Sequence, residues 1–273
     1  MTTTKSQIHL GDLAFDVAVG GPEDGAPVLL LHGFPHDSAC FDGVLEPLHD
    51  AGLRTITFDQ RGYSPGARPA DVDDYGLDHL VGDAIGVLDH LGVERCLLVG
   101  HDWGGIVGWH LAARHPERFT GYVAVSTGHP SAVSAALVSG SDQRERSAYI
   151  KTFTSDEAEE KLLARNAVLL RRTCPRDAVV KMQEPGALTA ALNWYRATFS
   201  GDIATKTACG RVTIPTTMVW SDADSALGRE QAEGSGDFVD ADYRFVELTG
   251  VDHWVPENAP QELAAAIIAR ANA

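Results

Sequence analysis

The stretch LLVGHDWGGIVGWHLAARHP, Leu97 to Pro116, reads as a strand, a sharp turn and a helix. Its turn, Gly100-His101-Asp102-Trp103-Gly104, has the glycine spacing of a strained strand-to-helix turn whose tip holds up a nucleophile. Serine is the usual residue at that tip. Here a carboxylate stands there. The feature constrains the chain twice. The fold must feed a buried strand directly into a helix, and the chemistry must use an aspartate.

The rest of the chain supplies a matching order of elements. APVLLLHG reads as a buried strand, and CFDGVLEPLHDAG as a helix ending at Gly52. RTITFDQRG is a strand and loop. LDHLVGDAIGVLDHLG is an amphipathic helix with Gly92 as its C-cap. RCLLVG, the helix GIVGWHLAARHP and the strand FTGYVAVS follow. This alternation implies a mostly parallel sheet with helices on both faces. QIHL and AFDVAVG alternate in polarity and suit an antiparallel edge. After His129-Pro130 the rhythm breaks, and to about Arg211 the chain reads as helices: EAEEKLLARNAVLLRR, RDAVVKMQ and LTAALNWYRATF. Strand rhythm resumes with IPTTMVWSD and YRFVEL before a last helix, PQELAAAIIARAN. The expected organisation is a core of residues 1–129 and 212–273 with a helical cap of residues 130–211. Such a cap would cover the C-terminal ends of the strands, where ligands bind in sheets of this kind. SGSDQRERS (Ser139–Ser147) and GREQAEGSGDF (Gly228–Phe238) are polar enough to be loops or helix ends.

Aspartate changes the reaction. A serine needs a base to take its proton, whereas a carboxylate with a pKa near ~3.9 is already ionised at pH 7. Attack by a carboxylate on an acyl carbon gives a reactive anhydride and gains nothing for ester hydrolysis. Attack on a saturated carbon that bears a leaving group gives a stable alkyl ester. The substitution therefore points to epoxide opening or carbon–halogen cleavage. The ester must then be hydrolysed by activated water, with donors waiting for the oxyanion.

His253, in LTGVDHWVPEN, follows the strand YRFVEL and is the expected base. The order nucleophile, acid, histidine is one that accompanies this turn. TMVWSDADSALG offers Asp222 and Asp224 as the acid. Asp224 is preferred because it lies two residues further into the loop. VAVSTG, after the preceding strand, has no carboxylate, and Asp252 is expected to point away. The backbone N–H groups of Phe34, in HGFP, and of Trp103 are the expected oxyanion-hole donors. His32 and His101 are read as structural support, and Asp59 and Arg61 as a turn with its own ion pair.

At this point the sequence resembles the epoxide hydrolases of the α/β-hydrolase fold, the aspartate-nucleophile branch related to haloalkane dehalogenases. HGFP, DQRGYS, GHDWGG, a helical cap, an acid loop and a terminal DHW carry the resemblance across nearly the whole chain. It implies two cap tyrosines that hydrogen-bond the epoxide oxygen. LNWYRA (Leu192–Ala197) matches the motif for one, Tyr195. SAYIKTF (Ser147–Phe153) gives Tyr149 as the other. An epoxide leaves as a strongly basic alkoxide and needs a donor, which a phenol with pKa near ~10 can be. Phe34, Trp103 and Trp194 are the expected substrate-binding positions. The resemblance implies neither a metal nor an organic cofactor.

Three functions compete. The first is an epoxide hydrolase. The second is a haloalkane or haloacid dehalogenase with the same nucleophile; many such enzymes have asparagine where Phe34 stands or a second indole in the cap, a place Trp194 could take. The third is a receptor that keeps the pocket but not the reaction, for which an intact nucleophile, acid and base would be superfluous. A small-molecule epoxide is the expected partner. The formal net charge of -16 disfavours nucleic acid and anionic membranes. Four scattered cysteines without zinc-ligand spacing suit a reducing cytoplasm. The first twenty residues have no continuous apolar run, so no signal peptide is expected.

Overall fold

The computed structural model describes residues 3–139 and 142–273. The two alternating opening segments form an antiparallel pair, β1 (Thr4–Leu10) and β2 (Leu13–Gly20). The apolar runs become β3 (Ala26–Leu31), β4 (Leu53–Phe58), β5 (Cys96–His101), β6 (Phe119–Val125), β7 (Thr216–Ser221) and β8 (Tyr243–Leu248). All eight strands lie in one sheet, in the order β1-β2-β4-β3-β5-β6-β7-β8. β2 meets β4 antiparallel, and every pair from β4 to β8 is parallel.

Helices α1 (Asp42–Asp50), α2 (Leu77–His90) and α3 (Trp103–Arg114) connect the first parallel strands. Between β6 and β7 lie α4 (Pro130–Ser139), α5 (Gln143–Arg146), α6 (Ile150–Phe153), α7 (Ala158–Ala167), α8 (Leu170–Thr173), α9 (Arg176–Met182), α10 (Ala187–Thr198) and α11 (Ile203–Lys206). α12 (Arg229–Gly234) joins β7 to β8, and α13 (Val255–Asn258) and α14 (Pro260–Ala271) end the chain. No helix among the described residues is long and apolar enough to cross a membrane.

Alternation along β3 explains the two-sided core, since successive side chains point to opposite faces. Val28 and Leu30 pack with Val44 and Leu48 of α1 and Leu263 and Ile267 of α14. Leu29 and Leu31 pack with Leu80 and Ala84 of α2 and Val107 and Leu111 of α3. A strand covered on both faces loses the polar half of its pattern, so β3 and β5 appear in the sequence as unbroken apolar runs. The second cluster also includes Leu162, Leu188 and Trp194 from the helical segments after β6, so these rest on the core rather than beside it.

Three local expectations need correction. EAEEKLLARNAVLLRR is not one helix: Arg165 and Asn166 adopt positive φ of 51° and 59°, and α8 starts afresh at Leu170. Asn166 has partners further along the chain, accepting from Arg171 Nε at 2.8 Å on its carbonyl and from Gln183 Nε2 at 2.9 Å on its side chain. Asp59 and Arg61 do not pair. Arg61 grips Asp83 with two bonds of 2.7 Å, while Asp59 accepts from the backbone and hydroxyl of Ser38. GREQAEGSGDF is largely helical, as α12 and a 3-10 turn at Ser235–Phe238. Its polar residues are used inward: Gln231 accepts from Gly128 N–H at 2.6 Å and Ser235 from His129 N–H at 2.8 Å. SGSDQRERS, expected as loops or helix ends, has residues 140 and 141 outside the described residues; Ser139 ends α4, Gln143–Arg146 form the single turn α5 and Ser147 opens a 3-10 turn.

Candidate active site

β5 ends at His101 and α3 begins at Trp103, which leaves Asp102 alone at the tip with φ 53° and ψ -119°. That is a costly conformation for a residue with a Cβ, and one typical of functional turns. Glycine makes it possible. A Cβ on Gly104 would strike the Leu31 carbonyl oxygen, and one on Gly100 the carbonyl of Gly104. The turn therefore presses onto the loop after β3, at the C-terminal ends of the parallel strands.

The Asp102 carboxylate has a different neighbour at each oxygen. The Phe34 N–H donates to Oδ1 at 2.7 Å. Oδ2 lies 3.5 Å from His253 Nε2. On the other side of the ring, His253 Nδ1 is 2.9 Å from Asp224 Oδ2. Asp224 is buried, and its Oδ1 accepts the N–H groups of Ala226 at 2.8 Å and Leu227 at 2.9 Å. Of the two candidate acids, Asp224 is thus the one at the histidine. Asp222 is exposed and accepts from the Gly250 N–H instead. Asp252 turns to the Trp254 N–H and the Asn258 amide. His101 Nε2 bonds the His253 carbonyl at 2.9 Å, and Ser126 Oγ donates to the same carbonyl. His32 Nε2 accepts the Gln60 N–H, which ties the loop after β3 to the loop after β4.

The electrostatics follow from this stacking of charges. For Asp102, burial favours the neutral acid, but the hydrogen bond and charge of His253 outweigh it and hold the carboxyl below its usual range. For His253, burial opposes the imidazolium, but the carboxylates of Asp224 and Asp102 prevail and push its pKa up to about 10. The arrangement at rest is two carboxylates with an imidazolium between them. His101 is pushed down to about 3 by burial and by the charge of His253 beside it, which outweigh the pull of Asp102, and stays neutral.

The helical segments bring two phenols over this group. Tyr149 sits in a 3-10 turn (Ser147–Tyr149) and Tyr195 within α10. Their ring centroids are 6.2 Å apart, and Tyr195 stands edge-on to Trp103 at 4.9 Å and to Phe34 at 5.6 Å. Burial, together with the Asp102 charge, raises both phenol pKa values, so both are protonated donors. Asp102, Tyr149 and Tyr195 together line two cavities, which meet over the carboxylate. The larger, about 400 Å³, is walled by Phe34, Phe153, Leu170, Cys174 and Trp254. The smaller, about 140 Å³, is walled by Trp103, Ile106, Val133, Leu137 and Phe199.

Trp194 corrects the expectation of a substrate-binding residue. It lines neither cavity and is 1% exposed, and its indole N–H donates to the Arg61 carbonyl at 2.8 Å. Neighbouring positions on a helix point in different directions. With Tyr195 facing the cavity, Trp194 faces the core.

The sequence reading missed the clamp on the acid loop. Gln143 of α5 accepts the Gly228 N–H at 2.8 Å and donates to the Ala226 carbonyl at 3.0 Å. Arg146 donates to the carbonyl of Asp224 itself and pairs with Asp142 at 2.8 Å. The loop that carries Asp224 is therefore held by residues from the segment after β6. The stretch that supplies the clamp is uniformly polar, and no pattern in it distinguishes a clamp from a solvated turn.

A family model described as the alpha/beta hydrolase fold matches residues 26–260. The AB hydrolase superfamily protein YfhM of Bacillus subtilis (strain 168) is 32% identical over 268 residues, covering 93% of this chain and 92% of that protein. Epoxide hydrolase A of Mycobacterium tuberculosis is 28% identical over 297 residues, 90% of each chain. Among solved structures, one of the novel epoxide hydrolases from metagenomes of hot environments is 29% identical. It superposes with a TM-score of 0.86 over 99% of both chains. The epoxide hydrolase VrEH1 of Vigna radiata is 26% identical, with a TM-score of 0.82 over 99% of this chain and 98% of its own.

Proposed function

As this chain belongs to the alpha/beta hydrolase fold family, we propose that it is an epoxide hydrolase that works through an alkyl ester on Asp102. The observation that carries this reading is the meeting of Asp102, Tyr149 and Tyr195 in the walls of the same two cavities. A carboxylate nucleophile faces two protonated phenols across a space for a small molecule. In this reading residues 1–129 and 212–273 form the catalytic core and residues 130–211 the cap. The four free cysteines suit a cytoplasmic enzyme.

Oδ2 of Asp102 attacks one ring carbon, because Oδ1 already accepts the Phe34 N–H. The carbon–oxygen bond of the ring breaks, and the departing oxygen takes a proton from Tyr149 or Tyr195. Ester formation removes the Asp102 charge, one of the two that hold His253 protonated. The imidazole then sheds its proton, which restores the phenol, and becomes a base for water. Water attacks Cγ of Asp102 while the N–H groups of Phe34 and Trp103 hold the oxyanion on Oδ1. The Cγ–Oδ2 bond breaks, and the vicinal diol leaves with Oδ2, taking the proton of the newly formed carboxylic acid. Asp102 is then again a carboxylate, and His253, holding the other proton of the water, is again an imidazolium. Asp224 keeps the histidine oriented and its proton on Nδ1.

A halide would need only weak donors such as indole N–H groups. Trp194 already spends its indole on Arg61, which favours the epoxide over the halide reading. Epoxide and haloalkane panels, assayed separately for diol and free halide, test the choice. Halide without diol would make the protein a dehalogenase, and neither product would make it a receptor. A single turnover in ¹⁸O-water tests the mechanism: the label should enter Asp102, and the first diol should carry the enzyme's own oxygen.

A further inference from the structure

Two neighbouring parallel strands, β5 and β6, are each followed by a non-glycine residue with positive φ. After β5 it is Asp102 at 53°, the nucleophile. After β6 it is Ser126 at 63°, which the proposed reaction does not use. This conformation is costly for a residue with a Cβ and free for glycine. Gly128 lies two residues on, yet the positive φ falls on the serine. Ser126 is fully buried and lines neither cavity, so no substrate touches it. Its hydroxyl donates to the His253 carbonyl at 3.2 Å, and His101 Nε2 donates to the same carbonyl at 2.9 Å. One donor already pairs a buried carbonyl. A second adds location. A peptide held by one bond can pivot about it; one held by two bonds, from the ends of two strands, cannot.

Resting on the epoxide reading above, we infer that Ser126 is a positioning residue for ester hydrolysis. With His101 it holds the backbone of His253, so that the ring stays aimed once Asp102 is esterified. At rest the ring is held from both sides, by Asp224 at Nδ1 and by the Asp102 carboxylate at Nε2. Alkylation turns that carboxylate into a neutral ester, and the pull on Nε2 goes. Until the ester is cleaved, the ring is held by Asp224 and by its own backbone alone. Water must meet the ring beside Asp102, and a base displaced even slightly loses rate steeply. The bond from Ser126 therefore counts in the second step and little in the first.

Ser126→Gly and Ser126→Ala both remove the hydroxyl, but only glycine relieves the positive φ. The His253 carbonyl keeps its bond from His101 in both, so neither variant leaves it unpaired. Each protein is taken through single turnovers with styrene oxide and with a set of terminal alkyl epoxides, and the ester on Asp102 is followed by rapid-quench mass spectrometry. In both variants ester decay should slow by about ten-fold, while ester formation stays within about two-fold of the parent. Thermal unfolding should rank the glycine variant above the alanine one. The kinetic defect then follows the lost hydroxyl and stability follows the strain, a pattern that general damage to the fold would not give. Decay at the parent rate in both variants would overturn the role of Ser126, as would an equal slowing of both steps. A glycine variant no more stable than the alanine one would remove the strain on which the inference rests. In all these outcomes the ester still forms and the epoxide reading stands. A parent that forms no ester with any of these epoxides would overturn that reading, and the role of Ser126 with it.

Discussion

His253 Nε2 stands 3.5 Å from Asp102 Oδ2, and that gap belongs to one imidazole facing two carboxylates. In the proposed reaction the attack by Asp102 and the later hydrolysis of its ester are thereby coupled through one ring. Losing the ring should stop the second step and slow the first only as far as the Asp102 carboxyl, no longer held down by the imidazolium, rises. His253→Gln should still form the ester but fail to hydrolyse it. Incubation with an epoxide should give a covalent adduct on Asp102, seen by intact-protein mass spectrometry and located by peptide mapping. An adduct elsewhere, or none, would count against the two-step route.

The same pair sets a pH dependence. The folded pKa of His253 is raised from 6.5 to about 10. Its stabilisation is therefore complete below about pH 6.5 and is lost as pH rises through about 10. Part of the rise comes from the charge on Asp102. In Asp102→Asn the imidazole midpoint should fall below that of the parent, as followed by nuclear magnetic resonance of the ring nitrogens. Ester hydrolysis should rise with pH to a midpoint likewise below 10. An unchanged midpoint in the asparagine variant would mean that ester formation does not release the base.

Arg146 reaches the site through the acid loop rather than the substrate. It bonds the carbonyl of Asp224, the residue that orients His253. Arg146→Met should slow ester hydrolysis by roughly ten-fold, about 1.4 kcal/mol, and leave alkylation much less affected. It should also lower the His253 midpoint as the loop loosens. Single-turnover kinetics and the same titration separate this positioning effect from general damage, which would slow both steps.

Trp194 should matter for stability. Trp194→Phe leaves the buried Arg61 carbonyl without its indole donor. An unpaired buried group costs about 1–3 kcal/mol, and each kcal/mol lowers Tm by roughly 2–4 °C in a chain of this size class. Differential scanning calorimetry should show that loss with KM unaltered. A changed KM with an unchanged Tm would return Trp194 to the substrate site.

Asp102, His253 and Asp224 were legible because local chemistry marks them. Glycines of the turn around Asp102 announce a backbone that few sequences need, and the other two follow strands in chain order. The strands were legible because burial on both faces leaves an apolar run. What escaped depends on contacts between distant residues. Arg61 faces Asp83 rather than Asp59, and no local pattern says so. The break at Arg165–Asn166 lacks glycine or proline, and one of the bonds at Asn166 comes from Gln183, seventeen residues on. The face presented by Trp194 depends on the rotation of α10, which one motif does not reveal.

The two tyrosines carry the choice of leaving group. Their rings lie over Asp102, and burial keeps both protonated. If the leaving atom is an epoxide oxygen, the developing alkoxide needs at least one of these donors. Tyr195→Phe should slow alkylation by ~10²–10³, the usual effect of removing one donor from a developing oxyanion. Tyr149→Phe should do the same. The double variant should be nearly inactive, because no proton would then reach the alkoxide. Decay of an ester already on Asp102 should change little, since that step depends on His253 and Asp224. A halide places no such demand, so a dehalogenase would keep its rate in all three variants and lose it in Trp103→Phe. Rapid-quench measurement of adduct formation and decay distinguishes the two. An epoxide alkylation rate equal to that of the parent in both single variants and the double variant would remove Tyr149 and Tyr195 from the mechanism.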